Sequence, residues 1–125
     1  MRAVFMAYIT DTIEAVEFYC KAFNTTTEKC FKASDDDDFY AHVEIDINNQ
    51  TVLALSDTAH YDKEFSQGNS MWFWLTFDDE QSLNRAYDIL KENADIHYPL
   101  APIEWSNAWA ELTDKYGIRW CLNVF

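Results

Sequence analysis

The order of predicted secondary-structure elements repeats once along the chain, and this repeat constrains the fold more than any other feature. Each half reads as a strand, a helix and three further strands. Asp78 follows Asp11, and Glu111 follows Glu44, at the same spacing of 67 residues. Because each helix stands between groups of strands, the pattern predicts an α+β fold in which each helix covers one face of a mixed sheet.

The first half combines short apolar or alternating runs with one amphipathic helix. The sequence predicts strands at residues 3–9, 25–32, 39–47 and 51–56. The helix is expected to begin at Thr10–Thr12, which offer a polar N-cap. Its apolar face is expected to carry Ile13, Val16, Cys20 and Phe23. Asp35–Asp38 should form a solvated loop, because neighbouring carboxylates repel one another. Asn48, Asn49 and Gln50 are predicted to turn the chain.

The second half repeats these elements after a polar connector at residues 57–68. A strand is predicted at 70–77, followed by a helix that Asp78 and Asp79 cap and that extends to about Asn93. Its buried face is expected to carry Leu83, Ala86 and Leu90. An extended segment at 96–103 contains two prolines, which suit an edge strand. One domain is therefore expected, with a first module at about 1–56 and a second at about 69–125.

The last predicted hairpin turns at Asp114–Gly117, where a type I turn closed by glycine matches the twist of the strands. This register pairs Trp109 with Asn123, Glu111 with Cys121, and Thr113 with Arg119. One face then carries Trp109, Glu111, Thr113, Arg119, Cys121 and Asn123, a mixture that suits the wall of a cavity. The opposite face carries Ala110, Leu112, Trp120 and Leu122 and is predicted to be core.

The charge of the chain excludes some classes of partner. Nine basic and 22 acidic residues give a formal net charge of −13. This charge argues against binding of nucleic acid or an anionic membrane, since both need a basic surface, and it is compatible with a cationic ligand. No apolar run is long enough to span a membrane, and the three cysteines have no CxxC spacing. A cytoplasmic protein with reduced thiols is expected.

Two motifs resemble those of a known superfamily. The first is Glu14–Tyr19 followed by Lys21-Ala22-Phe23 on the first helix, and the second is Thr113–Trp120 preceded by Trp105 and Trp109. With the βαβββ repeat, they resemble the vicinal oxygen chelate superfamily, which includes glyoxalase, bleomycin-resistance proteins and extradiol dioxygenases. The second motif is similar to the PhnB-like branch, whose members often carry a demethylubiquinone methyltransferase-like label. The resemblance implies two βαβββ modules in an incomplete barrel, and usually a homodimer. Asn24 stands where family members usually have glycine.

The resemblance also implies where metal ligands would stand. These positions fall at Val4 (Phe5 in a register shifted by one), Ala54, Trp72 (Met71 in the shifted register) and Cys121. None is a histidine or carboxylate, and one cysteine cannot hold a metal alone. We therefore predict that the superfamily metal site is absent and that the protein has no cofactor.

Alternation around Ala54 and Cys121 predicts the inner face of the two modules. The expected ligand-binding residues are Tyr8, His42, Glu44, Trp72, Trp74, Trp109, Glu111, Arg119 and Cys121, beside Met6, Val52, Ser56 and Asn123. Glu111 and Arg119 lie diagonally across the hairpin and could pair. His42, Glu44 and Glu111 are the candidates for catalysis by proton transfer. The alternative is that the aromatic residues fill a collapsed cavity or form a subunit interface.

Three functions remain open from the sequence. The first is a metal-free protein that binds a small organic ligand, including a cationic one, as bleomycin-resistance proteins do. The second is an enzyme, either of a metal-dependent lyase or dioxygenase type or using His42 and Glu44. The third is a subunit that only associates with protein. The two distant glycines cannot form a glycine-rich loop, which argues against a methyltransferase that binds its methyl donor on such a loop.

Overall fold

The computed structural model describes residues 1–49 and 51–125. The chain divides into two compact units, Met1–Ser66 and Gln67–Phe125. Each unit contains one four-stranded mixed sheet and one α-helix, which confirms the predicted α+β class and the repeated βαβββ order.

The first unit is built from five regular elements and a short 3₁₀ turn. They are β1 (Val4–Ile9), α1 (Thr12–Ala22), β2 (Lys29–Phe31), β3 (His42–Asp46) and β4 (Val52–Asp57), followed by the 3₁₀ turn Thr58–His60. The strand order is β1-β4-β3-β2. β1 runs parallel to β4, and the other neighbours are antiparallel. The predicted turn at Asn48, Asn49 and Gln50 includes Gln50, which lies outside the described residues.

The second unit has the same connectivity. Its elements are β5 (Phe73–Thr76), α2 (Glu80–Leu90), β6 (Asp95–Ile103), β7 (Ser106–Thr113) and β8 (Arg119–Val124). The strand order is β5-β8-β7-β6, again with one parallel pair, β5 and β8. β2 and β5 are shorter than the sequence predicts. The residues before each of them have no ladder partner in the described part of the chain.

The hairpins follow the predicted spacing, but the helices are displaced by one residue. β4 and β8 begin at Val52 and Arg119, in keeping with the 67-residue spacing. The N-cap of α2 is Asp79 rather than Asp78, one residue beyond that spacing from Asp11. The cause is the carboxylate of Asp79, whose Oδ1 accepts a hydrogen bond from the Ser82 backbone N–H at 2.7 Å and thereby fixes the helix start.

The buried face of α1 differs from the predicted one. Of the predicted face, Phe23 is buried, Val16 and Cys20 are half-buried and Ile13 is 39% exposed. The side chains buried within α1 are Thr12, Ala15, Phe18, Tyr19 and Ala22. The Thr12 backbone N–H and Oγ1 both donate to Asp57 Oδ2, at 3.1 and 3.0 Å. This anchor and the bulk of Tyr19 turn a different face of the helix to the sheet. In α2 the predicted residues Leu83, Ala86 and Leu90 are buried, as expected.

The hairpin of β7 and β8 has the predicted register. Trp109 pairs with Asn123, Glu111 with Cys121, and Thr113 with Arg119. Its core face is fully buried at Ala110, Leu112, Trp120 and Leu122. Gly117 has φ 91° and its N–H donates to the Asp114 carbonyl at 2.9 Å, which confirms the expected turn.

Candidate functional site

One face of the first sheet is left open by the helix. The β1–β4 pairs Val4–Val52, Met6–Ala54 and Tyr8–Ser56 place these side chains on a single face. We call this surface the first open face, and it also carries Glu44, which pairs with Ala54, and His42 two residues before it. Register thus places Met6, Tyr8, His42, Glu44, Val52, Ala54 and Ser56 on one face of the first sheet, and ligand binding on this face stays a prediction.

A charged network crosses the first open face. His42 Nε2 lies 3.3 Å from Glu44 Oε2, and Arg2 donates from its guanidinium to Glu44 Oε1 at 3.1 Å. The hydrogen bond from Arg2, followed by that from His42, lowers the pKa of the Glu44 carboxyl. Glu44 is consequently held ionised and is a weak base at neutral pH, while His42 keeps access to solvent.

The open face of the second sheet is rich in tryptophan. Trp74 pairs with Cys121 and Trp109 with Asn123, so these four side chains share one face. We define the tryptophan face as Trp72, Trp74, Trp109, Glu111, Thr113, Arg119, Cys121 and Asn123. The Trp74 and Trp109 rings meet edge to face with centroids 5.0 Å apart. Trp74 is 52% exposed, whereas Trp109 is buried.

Trp105 and His97 extend the tryptophan face and were not among the predicted site residues. The Trp105 ring lies 5.9 Å from that of Trp109 and is 63% exposed. His97 meets Trp72 edge to face at 5.8 Å, and its Nε2 lies 2.8 Å from Thr113 Oγ1. The alternation of β6 is interrupted by register shifts between Ile96 and Ile103, so its side-chain directions do not follow from a period of two.

Arg119 takes a different partner from the one expected. Its guanidinium carbon lies 3.9 Å above the centre of the Trp72 ring, and its Nη1 donates to the Asn69 carbonyl. Within residues 1–49 and 51–125, no ion pair joins Arg119 to Glu111. The predicted diagonal pair is therefore wrong, because stacking on an indole ring holds the guanidinium elsewhere. Glu111 remains half-buried beside Cys121.

Cys121 is buried, and its thiol is unreactive at neutral pH. Burial raises the pKa of Cys121 to about 11, and the negative charge of Glu111 contributes in the same direction. Asn123 Nδ2 lies 3.6 Å from Cys121 Sγ, and Asn123 Oδ1 accepts a hydrogen bond from Thr76 Oγ1 at 2.7 Å. The thiol is protonated at neutral pH, which makes it a poor nucleophile.

The connector contributes an aromatic cluster that the sequence did not predict. The rings of Tyr8, Tyr61 and Phe65 contact one another, with centroids 4.8–5.7 Å apart. The Lys63 amine lies 5.7, 5.5 and 5.0 Å from the three ring centroids, in the same order. The alternation of Tyr61, Lys63 and Phe65 was the available signal, but the contact with Tyr8 is not local. A cavity of about 550 Å³ beside this cluster is lined by Asp11, Asp38, Asp57, Lys63 and Phe65, among others.

The positions implied for metal ligands do not fit a metal. Val4 and Ala54 lie on the first open face and offer no donor atom, and Trp72 carries Arg119 on its ring. Cys121 offers a thiol, but one cysteine cannot hold a metal alone. Among the described residues, no group of three or more His, Cys, Asp or Glu side chains is arranged to hold a metal ion.

Two mixed sheets in βαβββ order define the glyoxalase/bleomycin-resistance class of fold. A glyoxalase/bleomycin-resistance protein from Albidiferax ferrireducens matches with a TM-score of 0.72 at 9% identity, covering 98% of this chain and 96% of its own. A protein from Pseudomonas aeruginosa matches with a TM-score of 0.80 at 22% identity over 99% and 97% of the two chains. A putative 3-demethylubiquinone-9 3-methyltransferase, a PhnB protein, from Bacillus cereus matches with a TM-score of 0.75 at 20% identity, covering 100% of this chain and 98% of its own.

The sequence places the chain within one branch of this class. It belongs to the family described as 3-demethylubiquinone-9 3-methyltransferase, whose model matches residues 2–123, and it shares the fold of the PhnB and glyoxalase/bleomycin-resistance proteins. The comparison with curated proteins found no match. No helix in the described part of the chain is long and apolar enough to cross a membrane.

Proposed function

We propose that this protein binds a small organic ligand on the tryptophan face without the help of a metal. The observation that carries the proposal is the exposure of Trp74 and Trp105 beside the buried ring of Trp109. Large indole rings left in contact with solvent lose apolar burial that a ligand would restore. Ligand sites typically combine such rings with a few polar groups, and Glu111 and Arg119 supply these here.

The charges of the tryptophan face favour a planar ligand that carries a positive group. Arg119 already covers the Trp72 ring, so a cationic ligand would use the free faces of Trp74 and Trp105. Glu111 offers a carboxylate for the charge, and the net charge of −13 attracts cations at long range. The protonated Cys121 thiol adds no reactive group, which suits reversible binding rather than covalent chemistry.

The description of the family names a methyltransferase, but the residues here support binding instead. A methyl donor of nucleotide type is usually held by a glycine-rich turn after the first strand. In this chain β1 and α1 are joined by Thr10 and Asp11, and the two glycines lie elsewhere, at Gly68 and Gly117. We therefore place methyl transfer outside the proposed function.

A second candidate is a proton-transfer enzyme that uses His42. Its support is the 3.3 Å contact between His42 Nε2 and Glu44 Oε2, which orients the imidazole on the first open face. Glu44 would orient the ring through this contact, and the hydrogen bonds from Arg2 and His42 lower the pKa of the Glu44 carboxyl. Replacing His42 with Asn would abolish such an activity while leaving ligand affinity on the tryptophan face unchanged.

We further propose a cytoplasmic homodimer. Met71, Tyr98 and Phe125 are large side chains outside the tryptophan face that are more than half exposed in the single chain. A second copy of the chain could cover such surface, as is usual in this superfamily. The three free cysteines suit a reducing compartment. Sedimentation at several protein concentrations would measure the mass, and a monomer throughout would overturn the homodimer.

The ligand proposal can be tested with the indole N–H signals of the five tryptophans. Planar aromatic amines, each with a neutral analogue of the same shape, would be titrated into 15N-labelled protein. We expect binding amines to shift the signals of Trp74, Trp105 and Trp109. Trp74→Ala should weaken the affinity, measured from the Trp105 and Trp109 signals, about tenfold or more. Phe31→Ala, which removes an exposed ring from the first unit, is the matched control. Shifts that survive Trp74→Ala unchanged would sink the proposal.

A further inference from the structure

The strongest unassigned feature of the first unit is a lysine amine that lies over three aromatic rings, which also contact one another. We call Tyr8, Tyr61 and Phe65 the Lys63 cage, because Lys63 Nζ lies within 5.0–5.7 Å of each ring centroid. A cation within about 6 Å of a ring centroid is attracted by the electron-rich face of the ring. Lys91, by comparison, lies over a single ring, that of Tyr87, at 5.3 Å.

Two rings of the Lys63 cage are held by contacts with the first sheet. The Tyr61 hydroxyl lies 2.9 Å from Ser56 Oγ, and Ser56, which is buried, donates to the Ala41 carbonyl at 2.6 Å. Tyr8 belongs to β1 and pairs with Ser56 across the sheet. Tyr8 is therefore part of the sheet, and Tyr61 is tied to the sheet through its hydroxyl.

The surroundings of the cage favour a cation. Lys63 and Phe65 also line the cavity of about 550 Å³, together with Asp11, Asp38 and Asp57. Asp57 is occupied by Thr12 and Ala59, but the carboxylates of Asp11 and Asp38 lie at the surface. Asp11 makes no capping hydrogen bond to α1. Three carboxylates against one amine make this cavity a negative environment of the size that small ligands occupy.

We propose that the Lys63 cage is a binding site for a methylated ammonium group, which Lys63 occupies until such a ligand displaces it. A quaternary ammonium is less strongly hydrated than a lysine amine and suits aromatic cages. The lysine acts as a tethered competitor that lowers the apparent affinity in proportion to the time it fills the cage. This site lies in the first unit and is independent of the proposed tryptophan face.

The test uses choline as the probe and 3,3-dimethylbutan-1-ol as its neutral analogue of the same shape. Affinity would be measured from the NMR shifts of the Tyr8, Tyr61 and Phe65 ring protons in the full chain. Lys63→Ala should tighten choline binding about fivefold, the factor for a lysine that fills the cage four-fifths of the time. Lys91→Ala removes the same charge elsewhere and should leave the affinity within about twofold of the unchanged protein.

Phe65→Leu in the Lys63→Ala background keeps apolar volume but removes one ring, and it should reverse the gain. If this variant proves unstable, the comparison of Lys63→Ala with Lys91→Ala still decides the question. The proposal is overturned if the two alanine variants respond equally, or if the neutral analogue binds as tightly as choline. It is also overturned if choline moves only the indole signals of the second unit.

Discussion

The two units have the same strand order and strand pairing, but the side chains on their open faces differ in chemistry. At matching positions of the ladder, β4 presents Val52, Ala54 and Ser56, whereas β8 presents Arg119, Cys121 and Asn123. The first open face therefore combines small side chains on β4 with the charged network of Arg2, His42 and Glu44, whereas the tryptophan face is dominated by large aromatic side chains. A repeated backbone can thus hold two unrelated surfaces, because period-two alternation fixes which side chains face outward but not their nature.

The units also anchor their turns and helices differently. The first unit uses Asp57, a residue far along the chain, to hold the start of α1, whereas the second uses Asp79 directly before α2. The turn of the last hairpin is anchored by Asp114, which is buried and accepts hydrogen bonds from Tyr116 N, Ile118 N and Trp120 Nε1 at 2.8–3.0 Å. Removal of each anchor should reveal this difference as a difference in stability.

The largest effect is expected from Asp114→Ala. This change leaves three buried N–H donors without an acceptor, so we expect a loss of about 3–5 kcal/mol in the free energy of unfolding. Asn48→Ala is the matched change in the first unit, where the exposed Asn48 side chain accepts from Thr51 N at 2.9 Å. Urea unfolding of both variants would show whether the second hairpin depends on its anchor more strongly. Equal losses would contradict this comparison.

The next effect is a loss of stability at alkaline pH that comes from Cys121, whose matching position in the first unit is the non-titrating Ala54. Because the pKa of Cys121 is raised from 9.0 to about 11 in the folded protein, the unfolded chain loses its thiol proton first. The resulting stabilisation is fully present below pH 9 and is lost as the pH rises towards 11, by about 2–3 kcal/mol.

Cys121→Ser isolates this contribution, because serine does not titrate in that range. Unfolding under reducing conditions at pH 8 and pH 11 should show a steeper loss for the unchanged protein than for the variant. Parallel losses would mean that the Cys121 thiol is as accessible in the folded protein as in the unfolded chain.

Asp57→Ala tests the long-range anchor of α1. Asp57 is buried and accepts from Thr12 N, Thr12 Oγ1 and Ala59 N, so its loss should cost about 2–3 kcal/mol. Asp79→Ala removes the exposed local cap of α2 and should cost less. Thermal unfolding would rank the two, and a larger effect at Asp79 would reverse the comparison.

Gly117→Val gives the smallest of these effects. Valine resists the positive φ of 91° at this position, so a loss of about 1–2 kcal/mol is expected. The first unit places asparagine rather than glycine at positive φ, as at Asn49 with φ 68°. Asn49→Gly should therefore leave the melting temperature nearly unchanged, whereas an unchanged value for Gly117→Val would mean that the turn tolerates side chains.

The sequence predicted the last hairpin in residue detail, because strict alternation and one glycine determine its register. It did not predict the buried face of α1, since the bond between Thr12 and Asp57 joins distant parts of the chain. Arg119 could reach either Glu111 or Trp72 by alternation alone, and only the structure selects the ring. The Lys63 cage was missed for the same reason, because Tyr8 lies far from Tyr61 in sequence.

The central functional proposal is that neither unit provides the residues that would bind a metal at the positions the superfamily resemblance implies. Ala54 and Cys121 lie at matching positions of the two ladders, Val4 begins β1 and Trp72 precedes β5, and these four residues provide no set of ligands.

The most direct measurement is thermal unfolding of the metal-stripped protein with Ni, Zn, Mn, Co or Fe(II) added. A metal at 100 times its dissociation constant would add about 2.7 kcal/mol, which for this chain length raises the melting temperature by roughly 10 °C. We predict no rise with any of the five metals. A rise of that size with one of them would contradict the claim and make a metal-dependent enzyme the better proposal.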